Sequence, residues 1–151
     1  FGARHSEKLR PYATIDLAGI RALVDTPPSV DKLLAQWIIP STLRTRTFQA
    51  QEEDGEFWML WADLDEAPLP LDAIVALIEP LACDYEIYTS RSATLEAPKC
   101  RILIPLAKPL NGLQWRLYQE VLNDTLQAGG AIPDRANERC GQLCFLPWCR
   151  A

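Results

Sequence analysis

Histidine, methionine and closely spaced cysteine pairs are scarce in this sequence. Its 151 residues include one histidine, His5, one methionine and five cysteines, no two of which form a Cys-x-x-Cys pair. Zinc fingers and histidine-based catalytic triads therefore lack most of the residues that they need. The sequence also has no Gly-x-x-x-x-Gly-Lys-Ser/Thr loop, no Gly-x-Gly-x-x-Gly turn and no Gly-x-Ser-x-Gly elbow, which excludes the common nucleotide-binding and hydrolase motifs.

Long apolar runs are missing as well. No run approaches the roughly 18 residues that indicate a membrane-spanning helix, so we expect no membrane partner. The sequence starts at Phe1 without a basic and then apolar leader, and we expect a fragment of a longer cytoplasmic protein. Five tryptophans, four tyrosines, four phenylalanines and an apolar content of 48% are typical of one folded domain.

Positive charge is in deficit, and it is unevenly distributed. A net charge of −5 argues against a protein that coats nucleic acid. Residues 1–80 carry 7 basic and 13 acidic side chains, whereas residues 81–151 carry 8 basic and 7 acidic ones. Eleven of the fifteen cations are arginines, whose planar fork suits phosphate. This pattern is compatible with a bound metal–phosphate ligand and equally with an ordinary solvated surface.

The cysteines favour a reduced, intracellular protein. They are Cys83, Cys100, Cys140, Cys144 and Cys149. An odd number without close pairs favours thiols packed in the core. A zinc site built on the last three thiolates is an alternative that lacks an evident fourth ligand.

The N-terminal part of the chain predicts helices. Thr14 is a suitable N-cap for a helix over Ile15–Val24, whose apolar residues repeat at helical spacing. A second helix is expected from Ser29 to Ile39, closed by Pro40. Residues 1–42 would then form an N-terminal helical layer.

From residue 43 onward the pattern predicts an α+β core. Leu43–Ala50 and Glu56–Leu64 flank Asp54-Gly55, which is a β-hairpin signal. The remaining predicted elements are a helix over Pro70–Glu79, strands over Asp84–Thr89 and Arg101–Pro105, a helix over Gly112–Gln127 capped by Asn111, and a strand over Leu143–Leu146. This order predicts a single domain over residues 1–151, in which residues 43–151 form an antiparallel sheet of the RNA-recognition-motif or ferredoxin-like type.

Two carboxylates at the end of a strand are the first candidate site. Asp63 and Asp65 follow an apolar run, and alternation in a strand places both on one face, with Cα atoms roughly 6–7 Å apart. Like charges this close repel each other, and a divalent cation would relieve the repulsion. Hard oxygen ligands suit Mg²⁺ or Mn²⁺. The alternative is that both aspartates are solvated turn residues.

A hydroxyl-rich segment with arginines is the second candidate site. Tyr88-Thr89-Ser90-Arg91-Ser92-Ala93-Thr94 is followed by Pro98-Lys99-Cys100-Arg101-Ile102-Leu103-Ile104-Pro105-Leu106. Hydroxyl and guanidinium donors in this density suit a triphosphate. A polar turn between two strands explains the same residues.

Taken in order, these segments resemble the catalytic core of archaeo-eukaryotic primases, and most closely the primase-polymerase domains of replication proteins from phages, plasmids and genomic islands. The likeness runs from about Phe57 to Pro147. It includes two further stretches, Pro133-Asp134-Arg135-Ala136 and Arg139-Cys140-Gly141-Gln142-Leu143-Cys144-Phe145-Leu146-Pro147.

The resemblance implies a template-directed nucleotidyltransferase that joins NTPs or dNTPs on single-stranded DNA, with a replicative helicase as partner or adjoining domain. Asp63, Asp65 and Asp134 would hold two Mg²⁺ or Mn²⁺ ions about 3.5–4 Å apart. Glu138 and Asp84 are the next choices for the third acid. The residues expected to contact the incoming nucleotide are Ser90, Arg91, Ser92, Thr94, Lys99 and Arg101. Arg44 and Arg46, on one face of the predicted Leu43–Ala50 strand, are candidates for contact with nucleic-acid backbone.

One departure from the family pattern concerns the second motif. That motif usually contains Ser-x-His, whereas Ala93 stands at the aligned position. We expect Arg91 to take over the phosphate contact, because a guanidinium binds phosphate without needing protonation. Two alternatives follow: a non-catalytic member of the same fold that binds nucleotide or nucleic acid, and a small interaction domain whose polar clusters are all surface.

Overall fold

A three-stranded antiparallel sheet lies at the centre of the computed structural model, which describes residues 1, 2, 4 and 11–149. A two-stranded antiparallel sheet lies apart from it. The strands are β1 (Trp37–Ile38), β2 (Glu56–Leu64), β3 (Glu86–Thr89), β4 (Cys100–Asn111) and β5 (Cys144–Phe145), paired as β1-β5 and β2-β4-β3. The α-helices of the described part are α1 (Leu17–Asp25), α2 (Phe48–Asp54), α3 (Leu71–Ile78) and α4 (Gly112–Ala128). The predicted α+β class is confirmed.

Strand β4 is central because its sequence tolerates burial on both faces. Ile102, Leu103 and Ile104 are consecutive and all buried, as expected for a strand covered on both sides. Its register with β2 pairs Leu60 with Ile104 and Asp63 with Arg101. The predicted strand over Arg101–Pro105 is confirmed, and its pairing aligns both candidate segments.

Helix α4 begins and ends where the sequence predicts. The Asn111 side chain accepts a hydrogen bond from the Gln114 N–H, while the Gln114 side chain accepts one from the Asn111 N–H. This reciprocal capping box satisfies two donors at the start of the helix. Gly129 and Gly130 follow the last turn, and Gly130 has a φ of 93°, which favours glycine. The predicted helix over Pro70–Glu79 and the strands over Asp84–Thr89 and Leu143–Leu146 are likewise confirmed.

The outer edge of β2 is covered by side chains and a loop instead of a fourth strand. The Gln119 amide accepts from the Trp61 N–H at 3.1 Å and donates to the Trp61 carbonyl at 2.6 Å. Asn137 donates to the same carbonyl at 2.9 Å, and the Trp115 indole donates to the Met59 carbonyl at 2.8 Å. Because these groups satisfy the backbone of β2, no strand is needed beside it. The last strand of the predicted ferredoxin-like order, β5, pairs with β1.

The predicted second helix over Ser29–Ile39 is wrong. The segment contains a single 3₁₀ turn, Lys32–Leu34, and then strand β1. Trp37, Ile38 and Ile39 are all buried, and extended chain buries consecutive side chains on opposite faces, whereas a helix at an interface buries only one stripe. Helix α1 begins after Asp16, whose side chain caps it, so the N-cap is not Thr14.

The predicted hairpin around Asp54-Gly55 is also wrong. Strand β2 forms, but the residues before it form helix α2. The Gln51 amide of α2 donates to the carbonyls of Leu43 and Thr45 at 2.7 Å, which fixes the preceding loop against the helix. Helix formation here follows the run Gln49-Ala50-Gln51-Glu52-Glu53, whose residues have high helix propensity. None of the helices in the described part is long and apolar enough to cross a membrane.

Candidate functional site

Three polar side chains lie in one row across the central sheet. Asp63 on β2 is paired in register with Arg101 on β4, and Arg101 is paired with Tyr88 on β3. Arg101 donates from Nε and Nη2 to a single oxygen of Asp63, Oδ2, at 2.9 and 2.7 Å. The Tyr88 hydroxyl donates to the Phe145 carbonyl on β5 at 2.7 Å. The row therefore connects the central sheet to the small one.

The Asp63–Arg101 ion pair is largely removed from solvent. The side chains are 15% and 11% exposed. Burial raises the pKa of Asp63, and the carboxylates of Asp65 and Asp134 raise it further, while Arg101 acts in the opposite direction. Burial lowers the pKa of Arg101, but Asp63, with smaller contributions from Cys144 and Tyr88, raises it, and the pKa of Arg101 is raised overall. A cleft carboxylate with a raised pKa beside a specific charge partner is typical of a functional site.

Each of the two predicted metal ligands keeps one oxygen without a partner. Asp63 Oδ1 and Asp65 Oδ1 are both buried and accept no hydrogen bond in the described structure. A buried carboxylate oxygen without a donor is costly. Hard divalent cations prefer such oxygens, and Mg²⁺ commonly uses one or two carboxylates together with substrate phosphate and water. The pair therefore fits a divalent ion.

A cavity of about 860 Å³ joins the carboxylate site to the hydroxyl-rich segment. Asp65, Tyr88 and Arg101 line it from the sheet, and Ser90–Ala93 lines it from the β3–β4 loop. Thr89 at the end of β3 also lines it, and the remaining lining comes from the chain in and after α1, the chain around the 3₁₀ turn and the chain around β5: Val24, Pro27, Lys32, Ala35, Phe145, Pro147, Trp148 and Cys149. The volume suits a small ligand.

Arg91 is exposed and lines this cavity. Its guanidinium carbon lies 4.7 Å from the centroid of the Trp148 ring. At this distance the cation is attracted by the ring's negative face. Ser90 and Ser92 lie on the same loop with their hydroxyl oxygens 3.3 Å apart.

Thr94 and Lys99 belong to the same loop but do not line the cavity. The Thr94 hydroxyl accepts from the Ala97 N–H at 3.0 Å, and the Lys99 carbonyl accepts from the Ser90 N–H at 2.8 Å. These contacts close the hairpin between β3 and β4. The nucleotide contacts of Thr94 and Lys99 stay predictions.

The backbone of Asp134 is hydrogen-bonded to the backbone of Asp63. Its N–H donates to the Asp63 carbonyl at 2.9 Å. Its carboxylate accepts from the Ala136 N–H at 2.9 Å and caps the 3₁₀ turn Arg135–Glu138. The described residues include no group of three or more His, Cys, Asp or Glu side chains placed to hold a metal ion. Asp134 as a third ligand thus stays a prediction. Of the two substitutes, Glu138 accepts from Asn123 at 2.9 Å, and Asp84 is exposed ahead of β3.

Arg44 and Arg46 lie elsewhere. The Arg44 side chain donates to the Tyr12 carbonyl, and Arg46 lies over the Trp37 ring at 5.1 Å. The strand that was predicted to carry them does not form, because residues 43–47 are a loop before α2. Neither arginine lines the 860 Å³ cavity.

Two further polar or aromatic residues of the cavity lining, Lys32 and Trp148, lie outside the predicted motifs. Lys32 lies in a segment that the apolar pattern assigns to a helix, and Trp148 follows the last predicted strand. Tyr88 begins the hydroxyl-rich segment, although no site role is predicted for it. Long-range pairing, which local patterns do not encode, brings the other two to the site.

The thiols nearest the site are protonated at neutral pH. Burial raises the pKa of Cys100 to about 11 and that of Cys144 to about 12. The Cys144 sulfur lies 3.6 Å from the Tyr88 hydroxyl. Burial likewise raises the pKa of Cys140 to about 11. All five cysteines are free, and the expectation of packed, reduced thiols is confirmed for these three.

Comparison of the chain with protein-family models, with curated proteins and with solved structures finds no match. The likeness to primase cores therefore depends on the quoted motifs alone.

Proposed function

We propose that this domain binds a metal–nucleotide complex and transfers nucleotides on a single-stranded DNA template, as a primase or primase-polymerase core. The observation that carries the proposal is the pair of buried, unpartnered oxygens, Asp63 Oδ1 and Asp65 Oδ1, together with a cavity that both Asp65 and Arg91 line. A metal–triphosphate ligand requires carboxylates that bind the divalent ion and hydrogen-bond donors that bind the phosphates.

The roles of the residues follow from their positions. Asp63 and Asp65 would hold Mg²⁺ or Mn²⁺, which when bound lowers the pKa of an attacking hydroxyl and offsets charge on the phosphates. Arg101 fixes Asp63 by donating to Oδ2, which leaves Oδ1 available. Arg101 also lines the cavity, and its contact with the nucleotide stays a prediction. Arg91, Ser90 and Ser92 line the cavity as donors for the phosphate chain.

The primase-like fold is part of the same proposal. The order β2-α3-β3-β4-α4-β5, with β4 between β2 and β3, supports it. The proposal also includes a single-stranded DNA template, NTP or dNTP substrates, a replicative helicase as partner and a cytoplasmic location.

Titration of a fluorescent nucleoside triphosphate with and without Mn²⁺ tests this function. We expect binding that requires Mn²⁺ and is lost in Asp65→Asn, with Asp54→Asn, an exposed carboxylate at the end of α2, as the matched control. Equal binding without Mn²⁺, or equal binding by Asp65→Asn, would contradict the proposal.

A second candidate is a nucleotide-binding domain of the same kind without catalysis. Ala93 at the position of the second-motif histidine, and the absence of a three-acid group among the described residues, favour it. An incorporation assay on a primed single-stranded template separates the two. Mn²⁺-dependent binding with no product above the Asp65→Asn background would identify the non-catalytic domain.

A further inference from the structure

The mouth of the cavity carries cations that the carboxylates do not neutralise. Its lining contains three cations, Lys32, Arg91 and Arg101, and one carboxylate, Asp65. Arg101 is already paired with Asp63. Lys32 and Arg91 therefore make this cavity a cationic region in a chain of net charge −5, and a cleft lined by one sign of charge concentrates ligands of the opposite sign.

Trp148 is the neighbour that the Arg91 guanidinium contacts in this structure. Arg91 lies on an exposed loop, whereas Trp148 lies on the chain after β5. Their stacking at 4.7 Å bridges two walls of the cavity. A flexible arginine that is already restrained loses less freedom when it binds a ligand.

We propose that Lys32, Arg91 and Trp148 form a phosphate subsite, in which the Trp148 ring holds the Arg91 guanidinium in place for a polyphosphate chain. The inference rests on the proposed function, because it assigns the residues that bind the phosphate chain of the same metal–nucleotide ligand. Lys32 and Arg91 bind the phosphates, and Trp148 is a positioning residue that acts through Arg91.

The competing role for Trp148 is a stacking surface for a nucleobase. Stacking on a base would help only ligands that contain one, whereas holding Arg91 helps any polyphosphate. Inorganic tripolyphosphate and ATP, each titrated calorimetrically in Mn²⁺, separate the two roles. We expect Arg91→Ala to weaken both ligands by about 10-fold or more, as for a lost charge-assisted contact. Trp148→Leu should weaken both by about 2- to 5-fold, as for a lost cation–π contact.

A double-mutant cycle tests whether Trp148 acts through Arg91. Trp148→Leu should have no further effect in the Arg91→Ala background, because the interaction it supports is already gone. Arg91→Lys, which keeps the charge but loses the planar stack, should resemble Trp148→Leu. Lys32→Ala should also weaken both ligands.

Two exposed residues outside this cavity provide matched controls, Lys108→Ala for Lys32 and Trp58→Leu for Trp148. Neither should change binding. Thermal melts of every variant establish that each is folded.

Three results would overturn the inference while leaving the proposed function in place. These are that Trp148→Leu leaves the binding of both ligands unchanged, that it weakens ATP binding alone, or that it weakens both ligands equally with and without Arg91. Binding of neither ligand to the unaltered protein would overturn the function and the subsite together. Conversely, tripolyphosphate binding that depends on Arg91 and Trp148 but needs no Mn²⁺ would support the subsite and contradict the metal-dependent function.

Discussion

The sheet side and the loop side of the cavity are built in different ways. On the sheet, Asp63 and Arg101 are fixed by strand register, are largely buried and make two hydrogen bonds to one oxygen. On the loop, Arg91 is exposed and is held by one ring contact with Trp148. The sheet side can hold a small ion in fixed geometry, while the loop side can adjust to a larger and more variable anion. The predictions below separate these contributions.

Loss of Arg101 should have the largest effect. Arg101→Leu leaves the buried Asp63 carboxylate without its cation, and breaking such a pair costs about 3 kcal/mol of unfolding free energy. Chemical denaturation measures this. The matched control is Arg116→Leu, which removes a more exposed pair with Glu52 and should cost less than about 1 kcal/mol.

The pH dependence of that variant gives a second check. The pKa of Asp63 is already raised by burial, so its ionisation destabilises the folded state as pH rises through this pKa. Without Arg101 the pKa should rise further. The stability deficit of Arg101→Leu should therefore shrink as the pH falls and the carboxyl becomes neutral. A deficit that grows at low pH would contradict this account.

Loss of Gln119 should have the next largest effect on stability, because its side chain supports the strand that carries the aspartates. Gln119→Leu removes both side-chain hydrogen bonds to the backbone of Trp61 and leaves buried groups unpaired, at a cost of about 2 kcal/mol. Amide exchange at Trp61 should accelerate. Gln114→Leu removes the exposed side-chain hydrogen bond from the Asn111 N–H. It should cost less, about 1 kcal/mol, and leave Trp61 exchange unchanged.

Substitution of Asp65 should change the stability less than these variants do, and in the opposite direction. In divalent-free buffer Asp65→Asn removes a negative charge that raises the pKa of Asp63, so the fold should gain up to about 1 kcal/mol at pH 7. The same change should abolish the stabilisation that Mn²⁺ gives to the unaltered protein. Destabilisation of the metal-free variant would show that Asp65 has a structural partner.

The same residues show which parts of the fold and of the candidate site can be predicted from sequence patterns. Asp63 is a candidate because it follows an apolar run, and Arg101 is a candidate because it lies in the arginine-bearing segment; the strand register joins the two. Helix α4 and strand β4 were predictable for the same reason, since their signals are local and periodic. Trp148 and Lys32 were not, because only long-range packing brings them to the cavity. The false hairpin arose where Asp54-Gly55 gave a strong turn signal, but β2 found a better partner in β4.

The smallest effect is expected at Thr94, on the loop side. Thr94→Ala removes one exposed side-chain hydrogen bond, to the Ala97 N–H, and should cost no more than about 1 kcal/mol, because water replaces the lost partner. Since Thr94 does not line the cavity, affinity for Mn²⁺–tripolyphosphate should be unchanged, in contrast to Arg91→Ala three residues earlier. If Thr94→Ala instead weakened binding as much as Arg91→Ala, the ligand would contact the whole loop. The distinction between a cavity wall at Ser90–Ala93 and a structural turn at Thr94–Lys99 would then be lost.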